Sequence, residues 1–221
     1  MRREYAFDSL SFVALSPDGH MAVLTGKLQN SGEEPEHSLL VELWLPDSNE
    51  VIPNAFDLNN LTVLEPGLQY QAVRSVQFSP DGHHLVMSVA LQGAPLFKYQ
   101  LLRYSNLSLN AEWNNQSSTE ARHFSPVEYL GVPAHGIPND LQVFSAGGHV
   151  AVLLEHPNRV DLWTLANGVS VKHLVKGAET PASIAFDRNA PQLCTGVISG
   201  TESATAIVEA PSLQDIKASG Q

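Results

Sequence analysis

The sequence predicts an all-β chain made of repeated four-stranded units, and three observations carry that prediction. A two-run hairpin phrase recurs along the chain, each copy is followed by a third strand-like run, and a fourth run can be placed behind most of these. The phrase first reads SFVALSPDGHMAVLTG over Ser11 to Gly26 and returns almost position for position as SVQFSPDGHHLVMSVA over Ser75 to Ala90. A third, weaker copy is LQVFSAGGHVAVLLEH over Leu141 to His156, and a fourth, SIAFDRNAPQLCTGVISG over Ser183 to Gly200, keeps the apolar runs but has lost the turn motif.

Each phrase has the physics of a hairpin: a short apolar or alternating run, a turn, then a second run of strand length. In the first two copies Pro17 or Pro80 presets φ at the second turn position, Asp18 or Asp81 follows, and Gly19 or Gly82 closes the turn. Val13 with Leu15 and Val76 with Phe78 lie two apart and share a strand face, as do Met21 with Val23 and Leu85 with Met87. The third runs are Leu39 to Leu45, Phe97 to Tyr104, Arg159 to Leu165 and Ala204 to Val208, with Trp44, Tyr104 and Trp163 in matching places. Fourth runs fall at Leu61 to Leu64, Glu128 to Val132 and Val169 to Val175.

Four strands per unit, SVQFSPDGHHLV for the first two and RVDLWTLANG for the third, resemble WD40 repeats, a β-propeller family with roughly 40 to 45 residues per repeat. The resemblance runs from about Ser11 to Val208. It implies an all-β, WD40-like β-propeller, or an open propeller arc, of about four four-stranded blades. The expected layout is one propeller-like domain over residues 1–221, with units near 8–72, 73–138, 139–180 and 181–221. The SPDG hairpin is shared with other propellers, including the TolB and peptidase-associated kinds. No Gly-His pair precedes a first strand and no tryptophan is followed by aspartate, so the hydrogen-bonded tetrad of WD40 repeats is not expected.

Spacing departs from the family. Ser16 to Ser79 spans 63 residues, Ser79 to Ser145 66, and Ser145 to Asp187 42, so only the last interval matches the period. Polar insertions at Lys27 to His37 and Ser108 to His123 account for the excess. A seven-bladed ring needs on the order of 300 residues at this period. Two closures fit 221 residues. In one, a four-bladed ring takes its missing strand from Arg3 to Phe7. In the other, which is preferred, an open arc leaves edges that pair with a second copy or another chain.

Composition narrows the function classes. With 43% hydrophobic and 16% charged residues the chain reads as globular and soluble. A formal net charge of -11 argues against nucleic acid or an anionic membrane as partner, since both demand clustered Lys and Arg. Arg2 and Arg3 are followed by Glu4 and Asp8 without an apolar run, so cytoplasmic residence is expected. The sequons at Asn60, Asn106 and Asn115 carry no weight without export.

The spacings that chemistry imposes are missing. There is no G-x-S-x-G elbow, no P-loop and no G-x-G-x-x-G, and the single Cys194 has no activating base in view. His20, His83, His84 and His149 follow the hairpin turns, as a polar residue after a turn commonly does; no H-x-x-x-H or H-E-x-x-H spacing supports zinc. The expectation is therefore a chain without catalytic, metal or cofactor residues that acts as a protein–protein interaction scaffold, a subunit or module of a larger assembly. The candidate contact residues are Trp113 in the polar insertion, His135 in the loop Pro133 to Asp140, and the acidic run Glu33, Glu34 and Glu36. Trp44 and Trp163 read as core. The alternative is a propeller enzyme or small-ligand binder with acids gathered at a central channel.

Overall fold

In a computed structural model, the described residues are 7–28, 39–52, 55, 56, 58, 61, 65–93, 98–105, 107, 127–143, 149–156, 159–164, 172–173, 180–186, 193–199 and 202–204. They hold strands and turns and no helix. The strands are β1 (Phe7–Leu15), β2 (Ala22–Leu28), β3 (Leu39–Leu45), β4 (Glu50–Ile52), β5 (Gln69–Phe78), β6 (His84–Gln92), β7 (Lys98–Ser105) and β8 (Val127–His135). The chain continues with β9 (Ile137–Val143), β10 (His149–His156), β11 (Arg159–Thr164), β12 (Lys172–His173), β13 (Thr180–Phe186), β14 (Leu193–Ser199) and β15 (Glu202–Ala204). They form three four-stranded antiparallel sheets, β1 to β4, β5 to β8 and β9 to β12, and a three-stranded sheet, β13 to β15, each in chain order.

One register repeats through all four sheets. The last cross-strand pair before the hairpin loop is Leu15 with Ala22, Phe78 with Leu85, Val143 with Val150 and Phe186 with Leu193. The next strand continues the row with Trp44, Tyr104 and Trp163, so the three aromatics do occupy one structural place. By this register the third unit is offset by one from its serine match: Val143, not Phe144, stands where Leu15 and Phe78 stand, and His149 corresponds to Met21 and His84 rather than to His20 and His83.

The register also decides which sheet each residue faces, because neighbouring residues on a strand point to opposite faces. In β6, Leu85, Met87 and Val89 join a core shared with the first sheet through Ala14, Val23, Val41 and Leu43. The intervening Val86 joins a second core with Leu141, Val143, Val150 and Val152 of the third sheet. Strand β7 divides the same way, Leu102 and Tyr104 to one core and Tyr99 and Leu101 to the other. A sheet with a neighbour on each face buries nearly every residue of its middle strand, and β6 is buried from Leu85 to Leu91.

First strands are the inner ones: β1 lies against β5, β5 against β9 and β9 against β13. Among the described residues β1 makes no contact with β13, so the series is an open arc rather than a four-bladed ring. Phe7 pairs with Leu28 as the start of β1, not as a closing strand beside β15; Arg3 to Ala6 lie outside the described residues.

One expected strand is corrected. The fourth strand of the first sheet is Glu50–Ile52, not Leu61 to Leu64. The turn after β3 explains it: the Asn49 amide donates to the Pro46 carbonyl at 3.3 Å, and Asn49 adopts φ of 52°, which its side chain tolerates, so the chain reverses at once. Phe56 and Leu58 then fill the core between the first two sheets, with Phe56 edge-on to Tyr104 at 4.9 Å between ring centroids. Of the expected run only Leu61 is described, packed partly buried against that core.

Candidate functional site

The hairpin loops of the first two sheets repeat atom for atom. Gly19 and Gly82 amides donate to the Ser16 and Ser79 carbonyls at 2.9 and 2.8 Å, and both glycines sit at positive φ, 78° and 74°, which a side chain would strain. Each serine hydroxyl accepts from the amide five residues on, Met21 or His84, at 2.9 Å, and donates to the turn carboxylate of Asp18 or Asp81. Those bonds carry the electrostatics. The Ser16 hydroxyl and the His20 amide hold Asp18 below the usual carboxylate range. For Asp81, burial pushes upward, but the Ser79 hydroxyl and the His83 amide outweigh it and the net shift is down. On the first loop His20 bonds exposed Asp47 through Nδ1, and that carboxylate raises the imidazole above its ordinary value. On the second, His84 Nδ1 lies 3.1 Å from the Ser105 hydroxyl.

Between the second and third sheets a chain of polar groups crosses the core. The Trp163 indole donates to the Tyr99 hydroxyl at 3.1 Å, that hydroxyl donates to Asp161 at 3.1 Å, and Arg159 bonds the same carboxylate from Nε at 2.7 Å and Nη2 at 3.1 Å. Asp161 and Tyr99 are fully buried. Arg159 Nη2 also donates to the His135 carbonyl at 3.0 Å, tying β11 to the end of β8. Burial foremost, and then the Asp161 charge, holds the Tyr99 phenol well above its usual range. Every member sits in a strand packed against the neighbouring sheet, so the network pins two blades together.

The inner strands carry a smaller polar group. Gln77 of β5 accepts from the Val143 amide at 2.5 Å and donates to Gln142 of β9 at 3.3 Å. Beside them Asp140 accepts from the Leu141 amide at 2.7 Å, and burial raises its carboxyl above the usual value.

Of the expected contact residues, His135 lies exposed at the end of β8, where its carbonyl rather than its ring is engaged. Trp113, Glu33, Glu34 and Glu36 lie outside the described residues. Among the described residues no group of three or more His, Cys, Asp or Glu is arranged to hold a metal. No helix is long and apolar enough to cross a membrane.

What sequence reasoning missed is the outer face of β1. In β5 and β9 the two residues that lead into the hairpin loop face the preceding sheet: Phe78 is 4% exposed, with Val76 packed on the same core, and Leu141 and Val143 are 2% and 4% exposed. Val13 and Leu15 hold those places in β1 and are 57% and 59% exposed.

No protein-family model matches the chain, and no curated protein sequence matches it. Solved structures do. The chain is similar to a protein of the nidogen/laminin complex (13% identity, TM-score 0.52, covering 86% of this chain and 56% of that one). It is similar to TolB from Acinetobacter baumannii (15% identity, TM-score 0.53, 93% and 45%) and to Kuenenia stuttgartiensis hydrazine synthase (13%, 0.53, 86% and 58%). This chain therefore spans about half the length of these neighbours. Together with its succession of antiparallel sheets, the likeness makes the fold a β-propeller one.

Proposed function

We propose that this chain is a non-catalytic protein–protein interaction module, a propeller arc that serves as part of a larger assembly, with blades of WD40-like organisation. The single observation that carries the reading is the uncovered β1 face. Covering Val and Leu side chains gains about 1.5–3 kcal/mol each when burial is complete, so Val13 and Leu15 leave a few kcal/mol of association energy unused. Exposed apolar surface aligned on a strand marks a contact site. In support, the fully buried polar side chains Tyr99 and Asp161 are engaged in joining blades, which is a structural use. One solved neighbour, that of nidogen with laminin, is itself a protein complex.

The test is capture of partners from the native source, read by mass spectrometry, with wild type beside Leu15→Arg. A stoichiometric protein retained by wild type and lost with the variant is expected. Recovery of the chain alone, in both forms, with no self-association overturns the reading.

A second reading, a small-ligand or catalytic site at the inner strands, is favoured by Asp140, whose desolvated carboxyl stands beside Gln77 and Gln142 near the propeller axis. Under that reading Asp140→Asn abolishes ligand binding or turnover while leaving partner capture intact.

A further inference from the structure

We infer that the inner strands carry a binding site for a small carboxylate, with the Arg74 guanidinium as its charged contact and the Asn139 amide on the neighbouring strand as a hydrogen-bonding one. The inference rests on the second reading above for its place at the inner strands and gives the ligand a charge.

Each first strand ends its sheet and pairs on one side only, and each carries an extra residue at the same place. Leu10 and Phe12 pair with adjacent Gly26 and Thr25, Val73 and Ser75 with Val89 and Ser88, Pro138 and Asp140 with Leu154 and Leu153, and Pro181 and Ser183 with Val197 and Gly196. Ser11, Arg74, Asn139 and Ala182 are thus the extra residues of four equivalent bulges, each four positions ahead of the last pair before the hairpin loop. A bulge bends its strand and re-aims a side chain. Ser11, Arg74 and Asn139 are exposed. Equivalent places on neighbouring inner strands stand side by side: three positions further on, Gln77 of β5 donates to the equivalent Gln142 of β9 at 3.3 Å.

The bulge belongs to the fold, but the arginine does not. A bulge blunts the free edge of a strand, and Ser11, Asn139 and Ala182 occupy theirs without charge. Arg74 is the only Lys or Arg in the four first strands. The chain has 23 acidic residues to 12 basic ones, yet among the described residues no group accepts a hydrogen bond from Arg74 or pairs with its charge. Half-buried Asp140 is engaged on its own strand, accepting from the Leu141 amide at 2.7 Å. A free guanidinium offers a planar fork that a carboxylate fills with two parallel bonds. One cation matches one negative charge; a phosphate would need more positive charge than these strands hold in a chain of net charge -11.

NMR titration of the 221-residue chain tests this, with small monocarboxylates as probes, each beside its primary amide and the corresponding amine. The carboxylates are expected to bind and to move the backbone amide resonances of Val73 to Ser75 and of Asn139 and Asp140, and to bind more weakly as salt is raised. Arg74→Gln should weaken binding at least about tenfold by removing a charge-assisted pair, Arg74→Lys by less, and Asn139→Asp should weaken it by repulsion. Both positions are exposed, so far-ultraviolet circular dichroism should stay unchanged in all three variants, and Leu15→Arg, on the β1 face, should bind as wild type does. Carboxylate binding indifferent to Arg74→Gln, or primary amides that bind as well as their acids, overturns the inference. Neutral or amine probes that bind at the inner strands and are lost with Asp140→Asn overturn it and leave the second reading standing; no shift on either strand with any probe overturns both.

Discussion

Replacing Asp161 by Ala cuts the polar link between the second and third sheets at its centre. The carboxylate is fully buried and accepts from Arg159 at 2.7 and 3.1 Å and from the Tyr99 hydroxyl at 3.1 Å. Breaking a buried ion pair by removing one partner costs about 3–5 kcal/mol. Arg159 keeps its bond to the His135 carbonyl and its side chain is 22% exposed, so water recovers part of that and the lower end, about 3 kcal/mol, is expected. Tyr99→Phe leaves the Trp163 indole without its acceptor and removes the donor to Asp161, about 1–2 kcal/mol. Because both changes sever the same chain of bonds, the double variant should lose at least about 1 kcal/mol less than the sum. Urea unfolding followed by tryptophan fluorescence measures all three. An Asp161→Ala loss below about 1 kcal/mol, or strict additivity with Tyr99→Phe, refutes the inter-blade pin.

Phe78→Ala should cost about 3–5 kcal/mol by cavity formation, whereas Leu15→Ala at the same register position, 59% exposed, should cost less than about 1 kcal/mol in the single chain; paired chemical denaturation checks the contrast. Gly82→Ala should cost about 1–2 kcal/mol through its φ of 74° alone, since a methyl group there meets only Pro17 Cδ at 3.6 Å, and thermal unfolding reads this. Asp81 and Asp18 have folded values below their unfolded ones, so their contribution is present above the ordinary carboxylate range and is lost as pH falls through the folded value. The gap in melting temperature between wild type and Ser79→Ala should therefore narrow from neutral pH into acid; a constant gap contradicts the assignment. For His20 the sign is opposite: its folded value is raised, so its contribution is complete below the ordinary histidine value and vanishes as pH rises through the folded one. An NMR titration should place its midpoint above that of a free histidine and lower it in Asp47→Asn.

The strand succession was legible because each unit writes its hairpin in local chemistry. Pro17-Asp18-Gly19 and Pro80-Asp81-Gly82 set the turn, and alternation set the faces, so Leu39–Leu45 was placed to the residue. The serine before each turn was overlooked: its hydroxyl satisfies both the loop amide and the aspartate, a role that a pattern of φ preferences does not contain. The short β4 was missed because three residues show no periodicity, and the Pro46 to Asn49 turn was the better signal. Asp161 stands as a lone acid among Val160, Leu162 and Trp163, and an acid inside an apolar strand announces a buried partner, but Tyr99 lies 62 positions away and only the packing joins them. The exposure of Val13 and Leu15 was hidden for the same reason, since their sequence is that of any covered blade.

The central claim is that a blade's faces are buried only against its neighbours, with one shared core for the first two sheets. Native-state hydrogen exchange on Phe78→Ala tests it most directly. If the core is shared, amides of β2 (Ala22–Leu28) lose protection together with those of β6 (His84–Gln92), although no residue of the first sheet has been altered. Protection that falls in β6 while β2 keeps its wild-type rates would show that the first sheet buries a core of its own, contradicting the stacked arc.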